Sequence, residues 1–261
     1  MASRCCSCKV DVLQKNSLRP VLSIVIPVFN EEQRIGSTLD TITDYLRRQP
    51  HSYELLLVDD GSIDQTPKVC RDFVESHEWA ALLTHSENHG KGCAVRTGVL
   101  NAQGEYILVC DADLATPIEE LDNFWRLIEE GADIVIASRP LPESCLVQRQ
   151  PWYREFAGRA FNIVVRLIAV PGIHDTQCGF KLFRRACAQA IFSQCTLNGF
   201  AFDIEVLYLA RKLGLQIKEA PVRWFHKQGS KVRVLKDGLS MLLDLGKILI
   251  RHHHVRQSEK S

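Results

Sequence analysis

Along the first half of the chain, short apolar runs alternate with longer amphipathic stretches, and each run ends in polar residues. "VLSIVIP" (Val21–Pro27) is rich in β-branched residues and predicts a buried strand. Glu31 and Glu32 then open a predicted helix whose apolar positions Ile35, Leu39, Ile42 and Leu46 follow helical spacing, with acidic residues suiting its first turn. "YELLLVDDGS" predicts a second strand, and Asp64 caps the next helix with Pro67 in its first turn. "ALLTHSENHGKG" predicts a third strand and a glycine-rich loop, followed by a helix through Arg96 and Leu100 that stops near Gly104. "EYILVCDAD" is a fourth strand, Pro117 starts a helix ending near Gly131, and "ADIVIASRP" is a fifth strand.

The second half is less regular. Leu141–Gln150 reads as a polar loop, Trp152–Val170 as a helix, and "DTQCGFKLF" (Asp175–Phe183) as a turn into an extended segment. Gly199–Gly214 predicts a helix with Asp203 and Glu205 near its start. "LQIKEAPVRWF" predicts one strand with Pro221 near its end. Val232–His254 predicts a basic amphipathic helix. The repeated strand–helix order over 21–140 is the signature of a mostly parallel sheet covered by helices, an α/β fold. Ligands of such sheets bind beyond the carboxyl ends of the strands. The polar residues collect there: Pro27 to Glu31, Asp59 to Ser62, Asp111 with Asp113, and Ser138 with Arg139. A solvated rim explains one such cluster; four at successive strand ends read as one site.

Composition narrows the class. The 261 residues are ample for a buried core, and 46% apolar with 24% charged residues is ordinary for a soluble globular domain. A net charge of +1 gives no global field that would recruit nucleic acid. Most of the ten cysteines sit inside apolar segments without paired spacing, which reads as free core thiols in a reducing, cytoplasmic compartment. Cys5, Cys6 and Cys8 fall in a predicted disordered tail over 1–20. No run approaches the roughly 20 apolar residues of a membrane span, and no signal peptide is evident.

The candidate chemistry begins with Asp111 and Asp113. On a strand, side chains two apart share a face, and two carboxylates on one face make a hard-oxygen site for Mg²⁺ or Mn²⁺, completed by substrate phosphates. The alternative is a helix cap ahead of Pro117. Asp59 suits a ribose hydroxyl or a base N–H, while Asp60 to Ser62 shape the turn. In "HGKG", Lys91 is a phosphate partner and the flanking glycines allow close backbone approach; a plain surface turn is the alternative.

"SIVIPVFNEE", "LLLVDDGSIDQT", "NHGKGCAVRTG", "CDADLATP", "DTQCGFKLF" and "FAFDIEVLYLA", in that order, resemble glycosyltransferase family 2. Within it they resemble the dolichyl-phosphate β-glucosyltransferases and their prokaryotic relatives. The likeness spans about Val21 to Arg251, with Leu114 standing where those proteins tend to carry glycine. It implies a GT-A fold, a Rossmann-like three-layer sandwich, over 21–231, with 232–261 as a C-terminal helix and tail. It also implies inverting, metal-dependent transfer of a hexose, glucose from UDP-glucose, to a polyprenyl phosphate. Pro27, Phe29, Glu31 and Asp59 resemble the nucleoside-binding positions. Lys91, Asp111 and Asp113 resemble the diphosphate and metal positions, and Lys231 in "GSK" a basic residue that closes on the diphosphate.

A hydroxyl acceptor would need a carboxylate base, for which Asp203 comes first and Asp175 and Glu205 follow, each alternatively a cap or turn residue. A phosphate monoester is already largely dianionic at neutral pH and can serve as its own nucleophile. Arg139, Arg149, Arg154 and Lys181 are then candidates for holding the acceptor phosphate, with surface solvation as the alternative for each. The C-terminal helix fits either packing on the domain or peripheral contact with the cytoplasmic face of a membrane. Other readings of the same fold are mannosyl transfer from GDP-mannose, transfer to a hydroxyl, a nucleotidyltransferase, or an inactive nucleotide-sugar binder.

Overall fold

The computed structural model describes residues 9–11, 19–148, 163, 165–227 and 234–255. An eight-stranded sheet forms the middle layer, in the order β1-β4-β3-β2-β5-β8-β6-β9. The strands are β1 (Lys9–Asp11), β2 (Leu22–Val28), β3 (Tyr53–Asp59), β4 (Ala80–Thr84), β5 (Tyr106–Val109), β6 (Ile134–Ala137), β8 (Lys181–Arg184) and β9 (Ile217–Ala220). β2 pairs in parallel with β3 and β5, so Val28 lies beside Asp59 and Val25 beside Val109. β8 runs antiparallel between β5 and β6, with Lys181 opposite both Val109 and Ile136. This reversal brings the start of β8 to the carboxyl ends of its neighbours.

Both faces of the sheet are buried, as the unbroken apolar strands require. Val25 faces one core with α3 (Lys91–Asn101), α5 (Arg185–Phe192), α6 (Phe202–Lys212) and α7 (Val234–Arg251). Ile24 and Ile26 face the other, with α1 (Ile35–Leu46), α2 (Thr66–Glu75) and α4 (Leu121–Glu129). The result is the three-layer arrangement read from the sequence.

Several boundaries differ. Helix α1 begins at Ile35 rather than at Glu31, because Asn30 takes a left-handed φ of 50° and the Glu31 carbonyl accepts the amides of Arg34 and Ile35. Glu32 instead accepts the Gln65 amide at 2.9 Å beside α2, whose N-cap is Gln65 rather than the expected Asp64; Asp64, one residue earlier, accepts the Thr66 amide at 2.9 Å. The loop expected at Leu141–Gln150 contains β7 (Cys145–Gln148), and "LQIKEAPVRWF" is two strands. Pro221 cannot donate a ladder bond, so β9 ends at Ala220 and β10 (Arg223–Phe225) leaves to pair with β7 in a separate two-stranded sheet. Within the expected tail, Lys9–Asp11 pair antiparallel with β4. Among the described residues, no helix is long and apolar enough to cross a membrane.

Candidate active site

The carboxyl end of β2 carries the partly exposed Pro27, Phe29 and Glu31. Pro27 is tolerated in this central strand because the β5 ladder stops at Val25. The loops after β2 and β3 are laced together. Ser62 Oγ accepts the Asn30 amide at 2.9 Å, Asn30 Oδ1 accepts the Ile63 amide at 2.9 Å, and Thr66 Oγ1 accepts the Glu31 amide at 2.7 Å. Glu31 itself is ion-paired with Arg34 at 2.6 Å. Asp59 is 1% exposed; one oxygen accepts the Ser62 amide at 3.1 Å, and the other, Oδ2, is buried with no hydrogen-bond partner among the described residues. An orphaned carboxylate oxygen at a strand end is costly unless a donor from outside completes it.

Asp60 is a different kind of residue. Its oxygens accept from His85 Nδ1 at 2.7 Å and from the amides of His89 at 3.0 Å and Gly90 at 2.7 Å. Burial pushes its carboxyl up, and these hydrogen bonds outweigh it, holding the group below the usual carboxylate range. Asp60 therefore shapes the loop that delivers Lys91. His85 gives no sign of this role in the sequence.

The glycines of "HGKG" are required by the protein's own packing. A Cβ on Gly90, where φ is 100°, would lie 2.5 Å from the Asn198 carbonyl oxygen, and one on Gly92 would lie 2.6 Å from that of Leu197. The close approach is to the protein's own 197–199 loop, whose Asn198 carbonyl accepts the Gly92 amide at 2.7 Å. Lys91, in the first turn of α3, points instead to Asp111, with Nζ 2.6 Å from Oδ1. Burial opposes the ammonium charge, but Asp111, Asp203 and Asp113 together raise its pKa.

Asp111 and Asp113 are not on the strand as the two-residue spacing suggested. β5 ends at Val109, and the pair occupies a turn in which Leu114 donates to the Asp111 carbonyl at 3.1 Å and Asp113 Oδ1 accepts the Ala115 amide at 3.0 Å. Leu114 takes a left-handed φ of 45°, a conformation that favours glycine. The two carboxylates still interact: burial and repulsion from Asp111 raise the pKa of Asp113. Among the described residues, Asp113 has one ion-pair contact, Arg34 at 4.0 Å. Beneath Asp111 lies Gly179, whose added Cβ would fall 2.1 Å from the Asp111 Oδ2.

The second half of the chain corrects two sets of assignments. Asp175 is fully buried and holds Arg139 with Nε to Oδ2 at 2.6 Å and Nη2 to Oδ1 at 2.9 Å. Burial pushes its carboxyl up, but Arg139 outweighs it and leaves Asp175 below the usual range, the wrong direction for a base. Arg139 stacks over Trp224 at 5.4 Å and keeps its side chain 26% exposed, so it remains available to an anion. Lys181, expected as an acceptor-phosphate contact, is 3% exposed and bonds Asp203 Oδ1 and the Cys178 carbonyl, each at 2.5 Å. It is therefore removed from the phosphate candidates. Asp203 is 5% exposed in the first turn of α6, where burial outweighs Lys181 and Lys91 and raises its pKa. Glu205, fully buried, bonds Thr196, Leu197 and His252. His252, near the end of the chain, is buried. Arg149, Arg154 and Lys231 lie outside the described residues.

A central sheet with acidic residues and a lysine gathered at its carboxyl ends is the plan of a nucleotide-sugar transferase, and the comparisons agree on the fold. The chain resembles mannosyl-3-phosphoglycerate synthase from Rubrobacter xylanophilus with a TM-score of 0.68 over 93% of this chain and 77% of that one, at 20% identity. It resembles glucosyl-3-phosphoglycerate synthase from Mycobacterium tuberculosis, in complex with Mn²⁺, uridine-diphosphate and glucosyl-3-phosphoglycerate, with a TM-score of 0.64 over 89% and 80%, also at 20% identity. The fold is GT-A. Residues 23–192 match the model of Glycosyl transferase family 2. Dolichyl-phosphate beta-glucosyltransferase of Dictyostelium discoideum is 37% identical over 243 residues, 88% of this chain and 74% of that protein. The chain belongs to glycosyltransferase family 2 and is a glycosyltransferase.

Proposed function

We propose that this enzyme transfers glucose from UDP-glucose to the phosphate of a dolichyl or other polyprenyl phosphate, with inversion at the anomeric carbon. The name of the 37%-identical relative supports the sugar and the lipid phosphate. The observation that carries the reading is the state of the two expected bases: Asp203 is paired with Lys181 and Asp175 with Arg139. An acceptor phosphate needs neither, because one of its ionised oxygens attacks the anomeric carbon directly as the bond to UDP breaks and the diphosphate leaves with the electron pair.

The remaining residues divide between the two substrates. The orphaned Asp59 Oδ2 accepts a donor from the nucleoside, with Pro27, Phe29 and Glu31 beside it. Lys91 binds the diphosphate. Asp111 and Asp113 offer hard carboxylate oxygens on one turn beside Lys91, the donor chemistry that Mg²⁺ or Mn²⁺ prefers, so these two would hold the ion. When bound, that ion would neutralise charge on the departing diphosphate. Arg139, oriented by Asp175, holds the acceptor phosphate. On α7, Leu243, Lys247 and Ile250 share an exposed face, which suits peripheral contact with a bilayer carrying the acceptor.

The test is incubation with UDP-glucose, Mn²⁺ and a short polyprenyl phosphate. A glucosylated lipid and an equal amount of UDP are expected, and both should be lost in a folded Asp113→Asn variant. Product from GDP-mannose instead would reassign the donor. Binding of UDP-glucose without turnover would overturn the enzymatic reading.

A further inference from the structure

Glu205 is a buried carboxylate to which the mechanism above gives no role. Glu205 has no exposure, yet its two oxygens gather a full set of donors from two distant segments. The Thr196 amide lies 3.0 Å from both oxygens, the Thr196 hydroxyl donates at 2.9 Å, and the Leu197 amide donates at 2.9 Å. From the far end of the chain, His252 Nε2 lies 2.8 Å from Oε1, and Arg251 donates to Thr196 Oγ1 at 2.9 Å. The residue after Leu197 is Asn198, whose carbonyl accepts the amides of Gly92 at 2.7 Å and Cys93 at 3.3 Å. These are among the amides that a helix leaves unpaired at its start. Gly90 and Gly92 have no room for a side chain against this loop. A continuous chain of contacts thus runs from His252 through Glu205 and residues 196–198 to the first turn of α3, which carries Lys91.

We infer that Glu205 and His252 are positioning residues that hold Lys91 at the height needed to meet the donor diphosphate. The inference rests on the assignment of Lys91 to that diphosphate. A strong, fully satisfied carboxylate is the suitable anchor, because charge-assisted bonds fix geometry more firmly than neutral ones. Replacement by an amide would set an NH₂ group against the amides of Thr196 and Leu197 or against His252. The 196–198 loop would then loosen, and α3 with it, while the nucleoside pocket around Asp59, built by the loops after β2 and β3, would stay intact.

The experiment is calorimetry with Mn²⁺ on the full chain, using UDP and uridine, and in parallel GDP and guanosine. The variants are Glu205→Gln, His252→Leu and His252→Gln, each alone and with Lys91→Ala. Glu205→Gln and His252→Leu should weaken the diphosphate about tenfold and leave its nucleoside unchanged; His252→Gln, which keeps a donor, should retain affinity. With Lys91→Ala present, neither substitution should cost anything further. Equal losses for diphosphate and nucleoside, unchanged diphosphate affinity, or losses that add to that of Lys91→Ala would each overturn the inference. Should Glu205→Gln fail to fold, the His252 pair decides the question. An unsubstituted protein that prefers GDP corrects the donor alone, and one that binds neither diphosphate overturns both readings.

Discussion

Lys91 Nζ lies 2.6 Å from Asp111 Oδ1, so the protein's own cation occupies a carboxylate that a divalent ion would also face. If Asp111 holds the proposed divalent ion, the two cations would compete for it until a diphosphate gave Lys91 another partner. Lys91→Gln should therefore bind Mn²⁺ alone severalfold more tightly. The same variant should bind UDP with Mn²⁺ at least about tenfold more weakly, as expected for loss of a charged hydrogen bond. Calorimetry measures both. A variant that lost affinity for Mn²⁺ alone would show that Lys91 supports the metal rather than displacing it.

Gly179 is the floor under Asp111. An added methyl would meet the carboxylate at 2.1 to 2.6 Å, and the carboxylate must move. Gly179→Ala should cost transfer at least about tenfold and destabilise the fold by about 1–3 kcal/mol, the usual range for overpacking. Kinetics and thermal melts on the same sample separate the two effects. Unaltered kcat with normal Mn²⁺ dependence would mean that Asp111 tolerates displacement.

Buried Asp175 forms a bidentate pair with the partly exposed Arg139; removing one partner of a fully buried pair costs about 3–5 kcal/mol, and solvent at Arg139 places this one at or below the lower end. Asp175→Asn should lower stability by that order at neutral pH. The sign of its pH dependence follows from the depressed pKa of Asp175. The stabilisation is fully present above the unfolded value of about 3.9 and is lost as pH falls through the lower folded value. Denaturant melts of the two proteins should differ most above about pH 5 and converge in stronger acid. A constant difference at every pH would point to a packing defect instead.

Asp203 and Lys181 separate the acceptor classes. Replacing Asp203 alone strands a buried ammonium, so single variants confuse stability with chemistry. The double variant Asp203→Asn with Lys181→Met removes both charges. With a polyprenyl phosphate acceptor it should retain transfer within about tenfold, whereas loss of a general base costs about a hundredfold or more. The latter outcome would restore Asp203 as the base and favour a hydroxyl acceptor.

The parts of the fold legible in the sequence were those whose periodicity is strong. β2 to β6 and α1 to α4 follow apolar patterns that burial on two faces enforces. β7 was hidden because Cys145 and Val147 are exposed and, among the described residues, it pairs with the three-residue β10 alone. Asp59, Lys91, Asp111 and Asp113 were legible because they directly follow apolar runs or stand in a glycine loop. Their partners were not, since Gly179, Arg139 and Lys181 meet the site only through the antiparallel insertion of β8 and the turns around it.

By itself the sequence determined the order of the early strands and helices and which acidic residues gather at the strand ends. Those follow from local periodicity, because the free energy of burying an apolar side chain depends on its position along its own element. Only the tertiary structure decided which carboxylates are free. Asp203 and Asp175 look alike in the sequence to Asp59, yet Lys181 and Arg139 pair with the first two, while one oxygen of the third has no partner among the described residues. A carboxylate's chemistry is set by the charges and donors around it, and these arrive from residues 22 and 36 positions away.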